Sequence, residues 1–183
     1  MAAHNRYLRG KQNQIRGTVD ADVVIEAGDF VVLNNQDGTV FQSSYSTANS
    51  LQANNFFYPF TKVGCSTAPT EGMDIIASNF AGIAMTGSAS GVTNQIVVAT
   101  TGVFRYPLYH APSAVTIGSF VSAVSPPGGF SANTGVSKQT VVNHATLTGV
   151  GTTAYLGYVT KTESGASYVD FELWSGLYEG RLA

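Results

Sequence analysis

Gly28-Asp29-Phe30-Val31 returns later in the chain as Gly118-Ser119-Phe120-Val121, and each copy is followed by a second matching run. That run is Gly82-Ile83-Ala84-Met85-Thr86 after the first and Gly157-Tyr158-Val159-Thr160-Lys161 after the second. Gly91 and Gly165 come next, then Gly102-Val103-Phe104 and Gly176-Leu177-Tyr178. Gly82 and Gly157 are 75 apart (157 − 82), and Gly91 to Gly165, Gly102 to Gly176 and Phe104 to Tyr178 are each 74 apart, so one deletion keeps the register. The opening glycines are 90 apart (118 − 28), which places 15 extra residues (90 − 75) in the first copy, in the tract around Ser43 to Asp74. Two copies are fewer than the three stacked units a solenoid needs to bury a continuous core. The expectation is an all-β protein, a pseudo-duplicated barrel or sandwich, with repeat halves at about 21–106 and 113–178.

The local patterns agree. Val23 to Ile25, Phe30 to Leu33 and Thr39 to Phe41 are short apolar runs separated by turn signals at Gly28 and Asp37-Gly38, and Asp-Gly after such a run marks a tight β connection. Ile83 to Met85, Gln95 to Thr100, Gly102 to Tyr106, Ser119 to Val124, Val141-Val142 and Tyr155 to Thr162 read as further strands. Tyr168-Val169-Asp170-Phe171-Glu172-Leu173-Trp174 alternates, with Val169, Phe171 and Leu173 on one face and Asp170 and Glu172 on the other. Period two over such a length is a half-buried strand, with its acidic face turned to solvent. Only Ser46 to Asn54 offers a short helix. The tract at about 43–74 reads as a polar loop insertion carrying Phe56-Phe57-Tyr58-Pro59-Phe60, either a plug that packs on its own barrel or an anchor for a partner's pocket.

Charged residues make up 11% of the chain, against about 25% in an average soluble domain. A surface so poor in charge suits a protein covered by neighbours, or a secreted β-protein with a neutral polar surface. No apolar run approaches the ~20 residues of a membrane-spanning helix, and no hydrophobic stretch follows the basic N-terminus, so neither a signal peptide nor membrane insertion is expected. Net charge is −2, yet Arg6, Arg9, Lys11 and Arg16 precede the first acidic residue, Asp20. Residues 1–20 therefore read as an extended basic N-terminal arm ahead of a single β domain at 21–183, either an anchor on an acidic partner or a solubilising tail.

Catalytic and metal chemistry find little support. His4, His110 and His144 stand apart with no ligand at metal spacing, and Cys65 lacks a local nucleophile signature and a disulfide partner. There is no Gly-x-Ser-x-Gly elbow, and Gly149-Val150-Gly151 and Gly87 to Gly91 are not phosphate loops. The expectation is a non-enzyme with no cofactor, no metal and no catalytic residues. Nucleic-acid binding is disfavoured as well, because the basic segment carries no interleaved aromatics beyond Tyr7.

The runs Ala-Gly-Asp-Phe-Val at 27–31, Gly-Ile-Ala at 82–84, Ile-Val-Val-Ala-Thr-Thr-Gly-Val-Phe-Arg-Tyr-Pro-Leu at 96–108, Ile-Gly-Ser-Phe-Val at 117–121 and Leu-Gly-Tyr-Val at 156–159 resemble a family of tailed-bacteriophage capsid decoration, or cement, proteins. The resemblance spans residues 21 to 175, and its most specific piece is Gly102-Val103-Phe104 followed by Pro107. The insertion and the basic arm are not part of the pattern. The resemblance implies a virion protein at the capsid surface that reinforces contacts between major capsid protein subunits, and a homo-oligomer, with a trimer favoured. On that reading Arg6, Arg9, Lys11 and Arg16 form a capsid-binding arm, and Phe56, Phe57, Tyr58 and Phe60 are interface aromatics. The rival reading is a carbohydrate- or receptor-binding β module of a phage fibre or tail, using Tyr106, Tyr109 and Trp174 as platforms. A glycan hydrolase built on carboxylates such as Asp170 and Glu172 comes a distant third.

Overall fold

The β-branched and aromatic runs form strands throughout the computed structural model, which describes residues 6–10, 12–19, 21, 23–34, 56–60, 76–77, 79–109, 115–123, 139–143, 154–163, 165 and 167–175. In chain order these are β1 (Arg6–Arg9), β2 (Gln14–Val19), β3 (Phe30–Asn34), β4 (Phe56–Pro59), β5 (Phe80–Ala84) and β6 (Asn94–Ala99), then β7 (Val103–Pro107), β8 (Phe120–Ala123), β9 (Val141–Asn143), β10 (Tyr155–Lys161) and β11 (Tyr168–Leu173). The expected strand at 39–41, the turn at Gly38, the helix at 46–54, Lys11, Cys65 and the three histidines lie outside the described residues.

The strands fall into two sheets. One closes into a barrel in the order β2-β4-β3-β5-β6, and the other runs β1-β7-β11-β10-β8-β9. In the second sheet β9 returns towards the end of β7, where Leu108 and Val141 form a parallel bridge and the Tyr109 amide donates to the Val141 carbonyl at 3.0 Å. The parallel pairing of β2 with β4 in the first sheet, Thr18 opposite Phe56 and Val19 opposite Phe57, takes the same place. Strand for strand, β2 to β6 and β7 to β11 are one unit used twice.

The duplication extends to single hydrogen bonds. In the first unit Phe30 pairs with Ile83, Val31 with Gly82 and Val32 with Phe80, the register shifting between Val31 and Val32. In the second unit Phe120 pairs with Tyr158, Val121 with Gly157 and Ser122 with Tyr155, and the shift recurs between Tyr155 and Gly157. The Gly28 amide donates to Ala84 and the Ala84 amide to Asp29, while the Gly118 amide donates to Val159 and the Val159 amide to Ser119. A bulge kept in both copies re-aims the same side chains in each. Gly82 and Gly157 sit where the next strand's backbone passes so close that a Cβ would overlap its carbonyl oxygen, that of Ala99 and of Glu172 respectively.

These pairings shift two expected boundaries. The basic N-terminal segment is extended, but its described part is built into the sheets. β1 pairs antiparallel with β7, Arg6 opposite Arg105, and β2 is a stave of the first barrel, paired with β6 from Gln14 opposite Ala99 to Val19 opposite Asn94. The division of the domain at residue 21 therefore gives way to a body that includes β1 and β2. The repeat halves change too, since Val103–Pro107 opens the second unit instead of closing the first. A strand at a repeat boundary carries the same local pattern whichever unit it joins, and only its hydrogen-bond partners decide.

One continuous core joins the units, running from Val31, Ile96 and Val98 through Phe30, Phe60, Phe80 and Tyr106 to Phe171, Val159 and Val121. At the junction Tyr106 stacks on Phe30 with ring centroids 4.6 Å apart and meets Phe171 edge-on at 5.7 Å. Phe60 packs against Phe30 at 5.4 Å and Phe80 at 5.6 Å. Each such ring pair contributes about 0.5–1.5 kcal/mol beyond its area burial. Polar contacts fix the same junction: the Tyr106 hydroxyl donates to the Gly28 carbonyl, Gln139 Nε2 donates to Asp29 Oδ1 at 2.6 Å, and Ser175 Oγ donates to the Ala81 carbonyl at 2.6 Å.

Burial first, and the nearby Asp29 second, push the Tyr106 phenol well above its ordinary range. A folded-state value above the unfolded one means that the stability gained by keeping Tyr106 neutral is whole below pH ~10. It is lost as pH climbs towards the folded value. Tyr106→Phe is expected to cost about 1 kcal/mol at neutral pH, through the hydrogen bond to Gly28, and to flatten the alkaline loss of stability. Urea unfolding of both proteins at neutral pH and above pH ~10 reads this; parallel alkaline losses in the two would refute it.

Candidate functional site

Residues that oppose each other across a ladder share a face of the sheet, so Phe30 and Ile83 lie on one face of the first unit and Phe120 and Tyr158 on the matching face of the second. Their environments are opposite. Phe30, Phe80 and Ile83 are 0%, 2% and 1% exposed, whereas their counterparts Phe120, Tyr155 and Tyr158 are 41%, 38% and 40% exposed. The second unit covers the first unit's face with Tyr106, whereas the ring stacked on Phe120, Trp174, comes from the second unit itself. Ile117, in the turn that leads into β8, adds an apolar side chain 70% exposed.

This face is an ordered array. Phe120 packs against Tyr155 at 4.9 Å and stacks on Trp174 at 6.2 Å with the planes 27° apart. The Trp174 amide donates to Leu156 at 2.8 Å, which ties the indole's backbone to β10. Tyr158 donates its hydroxyl to Glu172 Oε2 at 2.5 Å, and that bond is the first cause of a phenol raised above its ordinary range. Beneath the rings Ser122, opposite Tyr155 in the ladder, has a buried hydroxyl with no hydrogen-bond partner. Val32 at the equivalent place in the first unit has no such atom to satisfy. Aromatic rings half-sunk in a rigid sheet present large apolar area at little further entropic cost on binding, which is the composition of interface hot spots.

The expected site residues separate. Arg6 and Arg9 stand in β1, and Arg9 is exposed. Arg16 is an exposed residue of β2 opposite Val97. Its second-unit counterpart Arg105 faces Asp170 and binds it through Nε at 2.7 Å and Nη2 at 3.0 Å, with the guanidinium 4.3 Å over the Tyr168 ring. That hydrogen bond is the main cause that raises the Arg105 pKa.

The backbones of Phe56, Phe57 and Tyr58 form β4, so the aromatic run is a barrel strand and not a loop feature. Phe60 is 0% exposed, and its expected interface role is corrected to a core one: between Phe30 and Phe80 it has no surface to offer. The run read as a loop because its strand partners, near Thr18 and Leu33, are distant in sequence. Of the aromatics named as sugar platforms, Tyr106 is buried, Tyr109 is exposed and Trp174 is half-buried under Phe120. Asp170, expected at the solvent, is buried beside Arg105, while Glu172 stays on the face with Tyr158.

Phe120, Tyr155 and Tyr158 were not anticipated as a site. Their signal was present in the duplication, since Phe30 and Phe120 match, but a match assigns the same environment to both copies. Among the described residues no three His, Cys, Asp or Glu side chains come together as a metal site, and no helix is long and apolar enough to cross a membrane. No protein-family model matches the chain, and no curated protein matches it either.

Proposed function

We propose that this protein is a structural component of a phage virion that sits on the outer surface of the assembled capsid and stabilises contacts between major capsid protein subunits. The observation that carries the reading is the aromatic face of the second unit, a rigid array of half-exposed rings whose first-unit equivalents are buried by protein. Such a face works by docking. The class of partner comes from the sequence resemblance, and the exposed Arg9 and Arg16 supply basic contacts on β1 and β2. A modest contact repeated at many capsid positions by linked copies gains avidity without any single strong interface.

The test is co-sedimentation with mature, expanded capsids that lack the protein. Removing the first 16 residues would take β1 and half of a barrel stave with them, so charge reversal is the cleaner perturbation. Saturable binding that falls sharply in Arg9→Glu/Arg16→Glu is the expected result, and absence of binding by the wild type sinks the proposal. The glycan-binding alternative draws on one feature, the Phe120, Tyr155 and Trp174 rings beside Glu172. Binding to a glycan array that is lost in Tyr155→Ala would favour it.

A further inference from the structure

We infer that the edge of β2 at Gln14 to Arg16 takes up an extended segment of a partner protein as one more antiparallel strand, with an acidic residue opposite Arg16 and an apolar one opposite Ile15. The duplication locates the site. The Thr100 amide donates to the Asn13 carbonyl in the first unit, and the Leu173 amide donates to the Gly102 carbonyl in the second. Gln14, Ile15 and Arg16 therefore match Val103, Phe104 and Arg105. Asn13 bonds towards β6, so the alternation of an antiparallel ladder turns the backbone N–H and C=O of Gln14 and Arg16 to the opposite side. On that side of β7 the second unit holds β1, with Arg6 opposite Arg105, Tyr7 opposite Phe104 and Arg9 opposite Val103. In the first unit β4 pairs with β2 at Thr18 and Val19, and no described strand lies along Gln14 to Arg16.

Burial follows the same difference. Val103 and Phe104 are buried and Arg105 is half-buried, whereas Gln14 and Arg16 are exposed and Ile15 is half-buried. A sheet edge with outward N–H and C=O groups and room for alternating side chains is the arrangement that accepts an added strand.

Charge at the edge selects the occupant. Arg6 can stand opposite Arg105 because Asp170, on the other side of Arg105, binds its guanidinium. On the other side of Arg16 stands Val97, which offers no carboxylate. A strand with the sequence of β1 would set an arginine against Arg16 with nothing to offset the repulsion. Like charges directly opposite destabilise a sheet and opposite charges stabilise it. The β1 strand of a second copy is disfavoured on this ground, and an acidic residue is preferred. At the next rung, where the second unit pairs Phe104 with Tyr7, Ile15 takes an apolar or aromatic neighbour. The recognised segment thus follows Arg6-Tyr7 with the charge reversed.

The probes are two capped peptides with the sequence of residues 3–11, one unchanged and one carrying Arg6→Glu, titrated into the full chain and read by amide NMR shifts and hydrogen exchange. The Arg6→Glu peptide is expected to shift the Gln14 and Arg16 amides, slow their exchange, and bind about fivefold or more tighter than the unchanged peptide. Arg16→Glu in the protein should reverse that preference. Methylating the peptide's backbone nitrogen at position 6 should abolish binding, since it removes a strand hydrogen bond and leaves the side chains intact.

Unmoved Gln14 and Arg16 amides, a preference that Arg16→Glu leaves unchanged, or binding that survives N-methylation would overturn the inference. So would amides already protected in the free protein, the result expected if a second copy or another part of the chain holds the edge. Capsid sedimentation reads separately. Capsid binding without peptide binding sinks this inference and leaves the proposed function standing, and peptide binding without capsid binding does the reverse.

Discussion

Alanine at Gly82 is expected to destabilise the protein by about 3 kcal/mol or more, the upper end for overpacking, because the obstacle is backbone. Gly82 has φ +143°, and a Cβ there would overlap the Ala99 carbonyl oxygen and lie 3.1 Å from Val98 Cγ1. A carbonyl held in a ladder cannot rotate aside as a side chain can. The same loss is expected at Gly157, where the added atom would overlap the Glu172 carbonyl and lie 2.8 Å from Phe171 Cδ2. Gly91 is the control: its φ is +83° with nothing within 4 Å, so alanine there meets only the backbone penalty of about 1–2 kcal/mol. Urea unfolding of the three variants ranks them. A Gly82→Ala protein no less stable than Gly91→Ala would mean that the strands do not approach as described.

The second large effect is expected at Arg105. Its guanidinium grips Asp170 through two hydrogen bonds, and the two side chains are 19% and 6% exposed. Arg105→Met leaves the carboxylate buried without its partner, which costs about 3–5 kcal/mol. The double variant Arg105→Met/Asp170→Leu removes both charges and is expected to recover most of that loss, since an apolar pair of similar volume is often as stable as the ion pair it replaces. A double-mutant cycle in urea is the measurement. Additive losses would show that the pair is uncoupled and that the Tyr168 ring, over which the guanidinium lies, carries the packing alone.

The pair also shows how far the sequence reached. Arg16 and Arg105 occupy the same place in the two units, and neither the local pattern nor the residue type distinguishes them. Across the ladder stands Val97 in one case and Asp170 in the other. One arginine is therefore exposed and the other locked. The alternation around Asp170 was read correctly, with Val169, Phe171 and Leu173 buried on the opposite face. What failed was the assumption that the polar face of an alternating strand meets water, because Arg105 arrives there from a strand 65 residues earlier.

Taken by itself, the sequence established the all-β class, the duplication, the turn at Gly28 and the two glycines that mark the second landmark of each copy. These are properties of short segments. Side-chain alternation, turn residues and Gly placement follow from backbone geometry within a few positions, and a duplication repeats them in register. The tertiary structure alone decided that each unit begins at β2 and β7, that the basic segment lies within the sheets, that Phe60 is core, and that Phe30 is buried while Phe120 is not. Burial of a sheet face depends on which distant element covers it. Two matching segments acquire different environments when a ring from the other unit covers one of them, as Tyr106 covers Phe30.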